Sequence, residues 1–430
     1  MPRVLLLIPT ISYKSTDFLI AAEKIGADVI VASNECQALE DIVPGHTLTL
    51  DFLNLEESVS KVVSFSKKIP IDAVVSTDED ALALSVRISE ALGLPHNSID
   101  SIKNTQDKSL LRRILTKADI PTAKADCYSI SDSAEEIAER VHYPCVLKPI
   151  HLSASRGVIR ADTPQAFQEA FCRITKILSD PEVKRRGQAS ARKILVEQFI
   201  PGEEVAVEGL LQNGQLTVLA IFDKPDPLNG PFFEETIYVT PSRLSASIQE
   251  EIADCTEKGC AAIGLKAGPV HAELRINEKG AFIIEIAART IGGICSRTLR
   301  FGLGVSLEEI MLQHAVATAT PRMTAPVGRG ENTNTVIPIE NLKIQSGASG
   351  VMMIPIPKAG ILADITGVEE AKKLPLIEGI HIMIRRKQKV IPLPEGRRYF
   401  GFIFARGETP EAVETALRKA HQTIKLTIVP

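Results

Sequence analysis

The sequence predicts a mixed α/β fold that begins with a parallel sheet. The alternation of apolar strands and amphipathic helices in the first hundred residues indicates this sheet. Continuous apolar strands at residues 4–8, 28–33 and 71–77 alternate with amphipathic helices at 16–27, 53–68 and 79–94. Strands that are apolar along their whole length are typical of a parallel sheet covered by helices on both faces. No G-x-G-x-x-G follows the first strand, so a dinucleotide site is not indicated. A ligand contact is expected at the carboxyl ends of the strands, around 77–79.

Composition limits the class of protein. A chain of 430 residues is too long for one ordinary core and is expected to form about two to four domains. The net charge is −4, with Lys and Arg spread along the chain, which argues against a nucleic-acid partner. No run approaches the roughly 20 apolar residues of a membrane helix, so no membrane association is expected. Seven cysteines without C-x-x-C spacing fit free thiols in a reducing cytosol, and the predicted location is cytoplasmic.

The order of elements predicts four regions. Residues 1–100 form the α/β domain, and 101–202 contain a helix at about 104–117 and a small sheet domain. Residues 203–325 form a central sheet domain that ends in a hairpin with its turn at 277–280. From about residue 325 the texture changes to short strands rich in Pro and Gly, which we assign to a C-terminal domain, 326–430.

Lys148 lies in the buried strand of "YPCVLKPI", just before the small, polar segment "HLSASRGV". A buried lysine is costly without an anionic partner. The backbone N–H groups of a segment containing Ser153, Ser155 and Gly157 can approach an anion closely, which suits nucleotide phosphates. The alternative is a lysine at a strand end that extends its ammonium to solvent.

"EQFIPGEE" is a second candidate element. Glu197 ends an apolar strand, and Pro and Gly force a turn before the next strand begins at Glu204. The backbone of Phe199 and Ile200 beside an acid could bind adenine, while a carboxylate holds the ribose hydroxyls. The alternative is an ordinary hairpin with acidic ends.

The predicted hairpin carries one acid in each apolar strand, Glu273 in "VHAEL" and Glu285 in "AFIIEIAAR". Two acids on one sheet face suit Mg²⁺, which prefers carboxylate and phosphate oxygens. Arg289 follows and could neutralise charge that develops on a carbonyl or phosphoryl oxygen. The alternatives are two solvated strand faces for the acids and, for Arg289, a structural ion pair with an acid such as Glu285.

Taken together, these motifs resemble the ATP-grasp superfamily, in particular carboxylate–amine ligases of the L-amino acid ligase type. The resemblance covers nearly the whole chain. It implies an N-terminal α/β domain, a small middle domain and a larger C-terminal one, with ATP between two sheets. It implies that the lysines Lys108 and Lys148 contact the nucleotide. It also implies backbone contacts to adenine at Phe199 and Ile200, and side-chain contacts to ribose or nucleotide by Glu197 and Glu204. It implies Mg²⁺, or alternatively Mn²⁺, on Glu273 and Glu285, and a catalytic role for Arg289.

One position departs from the family pattern. Many ATP-grasp enzymes have Glu-x-Asn-x-Arg at the second acid, and the asparagine is a further metal ligand. Here Ala287 stands in that place and cannot coordinate. The number of metal ions is therefore left open.

The segment 222–244 resembles the ligase branch and adds candidates for the substrate side. Lys224 could approach the γ-phosphate, and Glu234 or Glu235 could face a substrate ammonium. Further candidates for substrate contact are Gly292, Gly293 and Arg297. The alternative for the two acids is a solvated loop.

The predicted function is ATP-dependent amide formation between a carboxylate and an amine, both of them small molecules and expected to be amino acids. Two alternatives remain. One is an ATP-grasp enzyme of the purine-precursor or biotin-carboxylase type, and the other is a non-catalytic ATP-binding protein. A homodimer is expected from the resemblance, whereas the sequence does not name the two substrates.

Overall fold

The computed structural model describes residues 1–10, 12–35, 46–319 and 343–430. The N-terminal domain is a parallel four-stranded sheet with order β3-β2-β1-β4. Its strands are β1 (Arg3–Leu7), β2 (Asp28–Ser33), β3 (Thr47–Thr49) and β4 (Ala73–Ser76), and its helices are α1 (Ser15–Lys24), α2 (Leu55–Ser66) and α3 (Leu82–Leu92). The predicted parallel sheet is confirmed. The four apolar residues of central β1 that follow Arg3 are fully buried, because helices cover both faces.

Two short helices follow where the sequence predicted one. They are α4 (Ile99–Gln106) and α5 (Lys108–Lys117), separated by Asp107 in an extended conformation. The Asp107 carboxylate accepts hydrogen bonds from the backbone N–H of Ser109 at 2.9 Å and of Leu110 at 3.1 Å. The predicted helix start near Asn104 was therefore wrong, because Asp107 ends one helix and caps the next. Lys108 is consequently the first residue of a new helix.

The small domain is an antiparallel sheet with order β5-β8-β6-β7. It contains β5 (Ala125–Ser129), α6 (Ala134–Ala138), β6 (Cys145–Pro149), β7 (Ile159–Ala161), α7 (Pro164–Leu178), α8 (Pro181–Gly187) and β8 (Lys193–Gln198). Phe167, Phe171 and Ile174 on one face of α7 are buried against this sheet. The segment that joins β6 to β7 contains the predicted phosphate loop.

The central sheet has eight strands joined by antiparallel pairs. Its first part consists of β9 (Glu203–Gln212), β10 (Gln215–Lys224), β11 (Ile237–Thr240), α9 (Ala246–Ile263), β12 (Gly268–Asn277), β13 (Gly280–Ala287) and α10 (Leu307–Ala319). The predicted hairpin is β12–β13, and its turn lies where the sequence indicated.

The C-terminal part extends the same sheet. It consists of β14 (Ala348–Ile354), β15 (Gly360–Thr366), α11 (Val368–Lys372), β16 (Ile377–Ile382), β17 (Lys389–Val390), β18 (Gly401–Gly407), α12 (Pro410–Thr423) and β19 (Lys425–Val429). The sheet order is β13-β12-β9-β10-β11-β14-β18-β16, and β17-β15-β19 form a separate sheet. The predicted domain boundary at residue 325 lies outside the described residues, and strands from both sides of it share the eight-stranded sheet. No helix within the described residues is both long and apolar enough to cross a membrane.

Candidate functional site

A cleft of about 290 Å³ lies where the N-terminal domain, the small sheet and the central sheet meet. This volume is at the lower end of the range of small-molecule sites. The N-terminal domain contributes Asp78 and Glu79, which follow β4 at the carboxyl edge of the parallel sheet. Asp78 and Glu79 thus line this cleft, and the ligand contact expected near residues 77–79 stays a prediction.

Glu273 and Glu285 face each other across the hairpin. They are direct partners in the antiparallel register of β12 and β13, with a bulge immediately after Glu273. Both line the cleft, and their side chains are 18% and 23% exposed. The two acids thus occupy a shared cleft wall, and this placement does not support the alternative of two solvated strand faces.

Both acids are ionised at neutral pH. Burial by itself would raise the pKa of each carboxyl. The Lys224 ammonium, 3.1 Å from Glu273 Oε1, and a hydrogen bond from His271 together outweigh burial and lower the pKa of Glu273 to about 2. Lys108, whose Nζ is 3.4 Å from Glu285 Oε2, acts together with Arg289 and Lys148 to hold the pKa of Glu285 below its ordinary value. Two ionised carboxylates in register are a donor set that fits a hard divalent cation, whereas Ala287 offers no ligand.

Lys224 lies behind the cleft. Its Nζ is 2.9 Å from Glu204, 2.6 Å from Glu235 and 3.1 Å from Glu273, and its side chain is 2% exposed. The carboxylate oxygens of the three acids lie within 4.8 Å of one another, so this ammonium serves as their shared counter-ion. The contact between Lys224 and a γ-phosphate stays a prediction, and it would require the lysine to leave these partners.

Lys148 and Glu197 form a buried pair on neighbouring strands of the small sheet. Arg112 of α5 completes the group, with its Nε 2.9 Å from Glu197 Oε2. Burial lowers the pKa of Lys148, although Glu197 opposes this. Arg112 was missed by the sequence analysis, because a helix pattern does not show which of two adjacent arginines is buried. The role of Glu197 towards ribose stays a prediction.

The predicted phosphate loop is attached to the C-terminal part of the chain. Ser153 and Ser155 line the cleft, whereas Gly157 packs on Pro149 and donates its N–H to Pro394 O at 2.9 Å. The neighbouring Arg156 donates its Nε to the Glu395 carbonyl at 3.0 Å. Glu395 also accepts two bonds from Arg173 of α7, at 2.5 and 2.9 Å. We name residues 392–397 the loop strap, which no motif in the sequence indicated.

Phe199 and Ile200 line the cleft as the adenine hypothesis requires. The Phe199 N–H donates to Pro144 O at 3.2 Å, and Ile200 O accepts from Arg275 Nη1 at 2.9 Å. A bound base would therefore have to use the remaining backbone groups of these two residues. Base recognition here stays a prediction.

Arg289 pairs with Glu79 of the N-terminal domain. Its Nε is 2.9 Å from Glu79 Oε2, and its Nη1 donates to Thr290 O at 2.9 Å. The partner is thus not Glu285, which the sequence offered as the structural alternative. Glu79 and Glu285 raise the pKa of the guanidinium despite burial, so Arg289 is a permanent cation in the cleft.

The remaining substrate candidates divide into two groups. Gly292, Gly293 and Glu235 line the cleft, and Tyr399 donates its hydroxyl to Glu235 at 3.2 Å. Glu234 does not line it, and neither does Arg297, which pairs with Asp17 at 2.9 Å and contacts His381 at 3.2 Å. Burial raises the pKa of Glu234.

Several cleft residues were missed by the sequence analysis: Lys14, His271, Arg275, Arg397 and Tyr399. Strand alternation could have found His271, because it lies two residues before Glu273 on the same face of β12. Burial disfavours its imidazolium, but Glu208, at 2.5 Å, raises the pKa of His271 to about 9. Arg275, two residues after Glu273 on the same strand, could have been found in the same way, whereas Lys14, Arg397 and Tyr399 lie in segments without a detectable motif.

Three family models match the chain. An ATP-grasp N-terminal domain matches residues 19–96, an ATP-grasp domain matches 141–298, and L-amino acid ligase C-terminal domain 2 matches 352–429. The crystal structure of L-amino acid ligase from Bacillus licheniformis superposes with a TM-score of 0.80 at 24% identity, covering 100% of this chain and 99% of that one. At this identity the likeness shows a shared fold.

Two curated relatives are ligases or synthases. Alanine–anticapsin ligase of Bacillus subtilis (strain 168) is 24% identical over 270 residues, which cover 60% of this chain and 56% of the relative. Dapdiamide A synthase of Enterobacter agglomerans is 26% identical over 246 residues, which cover 56% of this chain and 54% of the relative. The alignments thus span about half the length of these relatives. Because its three matched domains and its fold agree, the chain belongs to the ATP-grasp superfamily and carries the C-terminal domain of L-amino acid ligases.

Proposed function

We propose that this protein joins a carboxylate to an amine at the expense of ATP and releases ADP and phosphate. The observation that carries the proposal is the pair Glu273–Glu285, two ionised acids in register in a cleft that Lys108, Lys148 and Arg289 also line. Relatives whose names describe the ligation of alanine to anticapsin and the synthesis of dapdiamide A support amide formation.

The reaction has two steps. A carboxylate oxygen of the first substrate attacks the γ-phosphorus of ATP, and ADP leaves. The amine nitrogen then attacks the acyl carbon and loses a proton, the amide bond forms, and inorganic phosphate leaves. A divalent cation held by Glu273 and Glu285 would offset phosphate charge during the first step.

The protein's own side chains supply position and charge. Lys108 and Lys148 enter the cleft wall from α5 and β6 and suit the phosphate groups. Arg289 lies beyond the second acid and stays protonated, so it can stabilise the charge that develops on the acyl oxygen or on the transferred phosphoryl group. No nucleophile from the protein is required, and the rest of the rate enhancement comes from holding the reactants together.

The C-terminal family match favours the ligase branch over purine-precursor or biotin-carboxylase chemistry. A non-catalytic ATP-binding protein has less need of Arg289 beside the acid pair. Neither argument names the acid or the amine.

The test is a panel of amino acid pairs incubated with ATP and Mg²⁺, with ADP release measured by a coupled assay and the product by mass spectrometry. We expect ADP release that depends on both amino acids and equals the amide formed. ATP binding without ADP release in every pair would support the non-catalytic alternative. ADP release that requires bicarbonate rather than an amine would support the carboxylase type.

A further inference from the structure

Lys14 is a buried cation that has no anionic partner among the described residues. It precedes α1 in the segment that follows β1, and it is 1% exposed. Its Nζ donates to Thr290 Oγ1 at 2.9 Å and contacts Thr290 O at 3.4 Å. No carboxylate of the described residues lies within ion-pair distance of this ammonium. A buried charge in such surroundings is costly unless a ligand compensates it.

The nearest carboxylates are already bound to other groups. Asp78 accepts from the hydroxyls of Ser12 and Thr77. Glu208 accepts from His271 and from the Ile291 N–H, and Glu308 accepts from Ser296 at 2.5 Å. These acids raise the pKa of Lys14 from a distance, whereas burial lowers it more strongly. None of them neutralises Lys14 directly.

A second cation meets Lys14 at the same residue. The Thr290 carbonyl accepts from Arg289 Nη1 at 2.9 Å and lies 3.4 Å from Lys14 Nζ, and both cations line the cleft. Arg289 is paired with Glu79, so the positive charge that no carboxylate of the described residues compensates is that of Lys14. Two cations that converge on one carbonyl oxygen make this end of the cleft suited to an anion.

We propose that Lys14 binds the free α-carboxylate of an amino acid that serves as the amine substrate. The inference rests on the proposed function. The carboxylate of the first substrate is consumed when it is phosphorylated, whereas that of the amine substrate stays charged through both steps. A fixed, buried ammonium fits the group whose charge does not change.

Phosphate is the other anion in the cleft, and the geometry separates the two. Lys108 and Lys148 neighbour Glu285 and Glu197, and they are the lysines placed for nucleotide phosphates. Lys14 instead shares Thr290 with Arg289. A role towards ATP would therefore appear as a changed KM for ATP.

The test compares an amino acid with its amide as the amine substrate in the wild type, in Lys14→Met and in Lys24→Met. Lys24 is the last residue of α1, the helix that Lys14 precedes; its side chain is 54% exposed, and it is the matched control. For the wild type and Lys24→Met, we expect kcat/KM for the amino acid to exceed that for the amide by about 10- to 100-fold, as for a charged hydrogen bond. In Lys14→Met this ratio should fall close to one, because the amino acid loses its advantage while the amide is unaffected.

KM for ATP should be unchanged in Lys14→Met, and the variant should remain as stable as the wild type, since methionine needs no counter-ion. A ratio that survives the substitution, or a KM for ATP that rises with the ratio intact, would overturn the assignment of Lys14. If Lys14→Met does not fold, equal kcat/KM values for amino acid and amide in the wild type would overturn it too. Absence of ADP release with every pair in the wild type is a different result, because it refutes the proposed function itself.

Discussion

Replacing Arg289 with alanine distinguishes a catalytic role of this residue from a structural role. The guanidinium pairs with Glu79 at 2.9 Å, and the two side chains are 14% and 21% exposed. If Arg289 stabilises charge in the transition state, alanine should lower kcat far more than ATP affinity. Lysine should restore little, because a point charge cannot reproduce the planar fork of donors.

The two roles predict different magnitudes. Loss of one oxyanion-type donor costs roughly 2.7–4 kcal/mol, or about 10²- to 10³-fold in kcat. Loss of the ion pair lies between the cost for exposed pairs and that for buried pairs, at about 1–3 kcal/mol of unfolding free energy. A decrease in kcat therefore measures the catalytic role, and a decrease in the free energy of unfolding in urea measures the structural role.

The measurements are ADP release at saturating substrates, calorimetric titration with ATP, and urea unfolding. Arg243→Ala is the matched control, because Arg243 pairs with Asp223 at 2.8 Å and does not line the cleft. The control should lose stability but keep kcat. Unchanged kcat in Arg289→Ala, or a decrease in kcat, ATP affinity and stability by similar factors, would refute the catalytic role.

Three other predictions follow from the same cleft. Glu285→Gln keeps the shape of the side chain but removes the charge that a divalent cation requires. The kcat of this variant should therefore fall by orders of magnitude while its circular dichroism spectrum stays native. Wild-type turnover at ordinary magnesium concentrations would contradict the metal assignment. Glu197→Gln leaves Lys148 and Arg112 without the carboxylate that they share. It should lower the free energy of unfolding, measured in urea, by about 3–5 kcal/mol. A variant as stable as the wild type would contradict the structural role of Glu197. ATP–Mg²⁺ should slow hydrogen exchange in residues 153–157 of the wild type, because a phosphate loop becomes ordered when nucleotide binds. Glu395→Gln should accelerate this exchange without ATP, because it weakens the pair with Arg173 that holds the loop strap. Equal exchange in all samples would contradict both the ordering of the phosphate loop by ATP and its attachment by the loop strap.

The sequence by itself determined the parallel first sheet and the acid-bearing hairpin. Strands such as 4–8 are apolar at every position, and that pattern is stable only where both faces are covered. The sheet and the hairpin depend on local periodicity and turn chemistry, which one chain displays without its partners. The turn at 277–280 alone would place Glu273 opposite Ile284, and only the bulge after Glu273, seen in the folded sheet, brings Glu285 opposite it.

Where several alternatives share the same local pattern, the sequence was less decisive. It predicted one helix across residue 107, because a polar run before an apolar face fits a cap at more than one residue. In the structure the capping residue is Asp107, because its carboxylate accepts hydrogen bonds from two backbone N–H groups. Likewise, the acids near Lys224 could have faced solvent, and only the folded sheet shows that they surround its ammonium.

The tertiary structure alone decided which charges meet across domains. Arg289 pairs with Glu79 at a separation of 210 residues, Lys14 reaches Thr290 at a separation of 276, and the loop strap lies more than 200 residues from the loop that it holds. No periodicity links such positions, because these contacts form only when the domains pack together. Their energies depend on burial and on which partner is within reach of the side chain, and both are properties of the packed molecule.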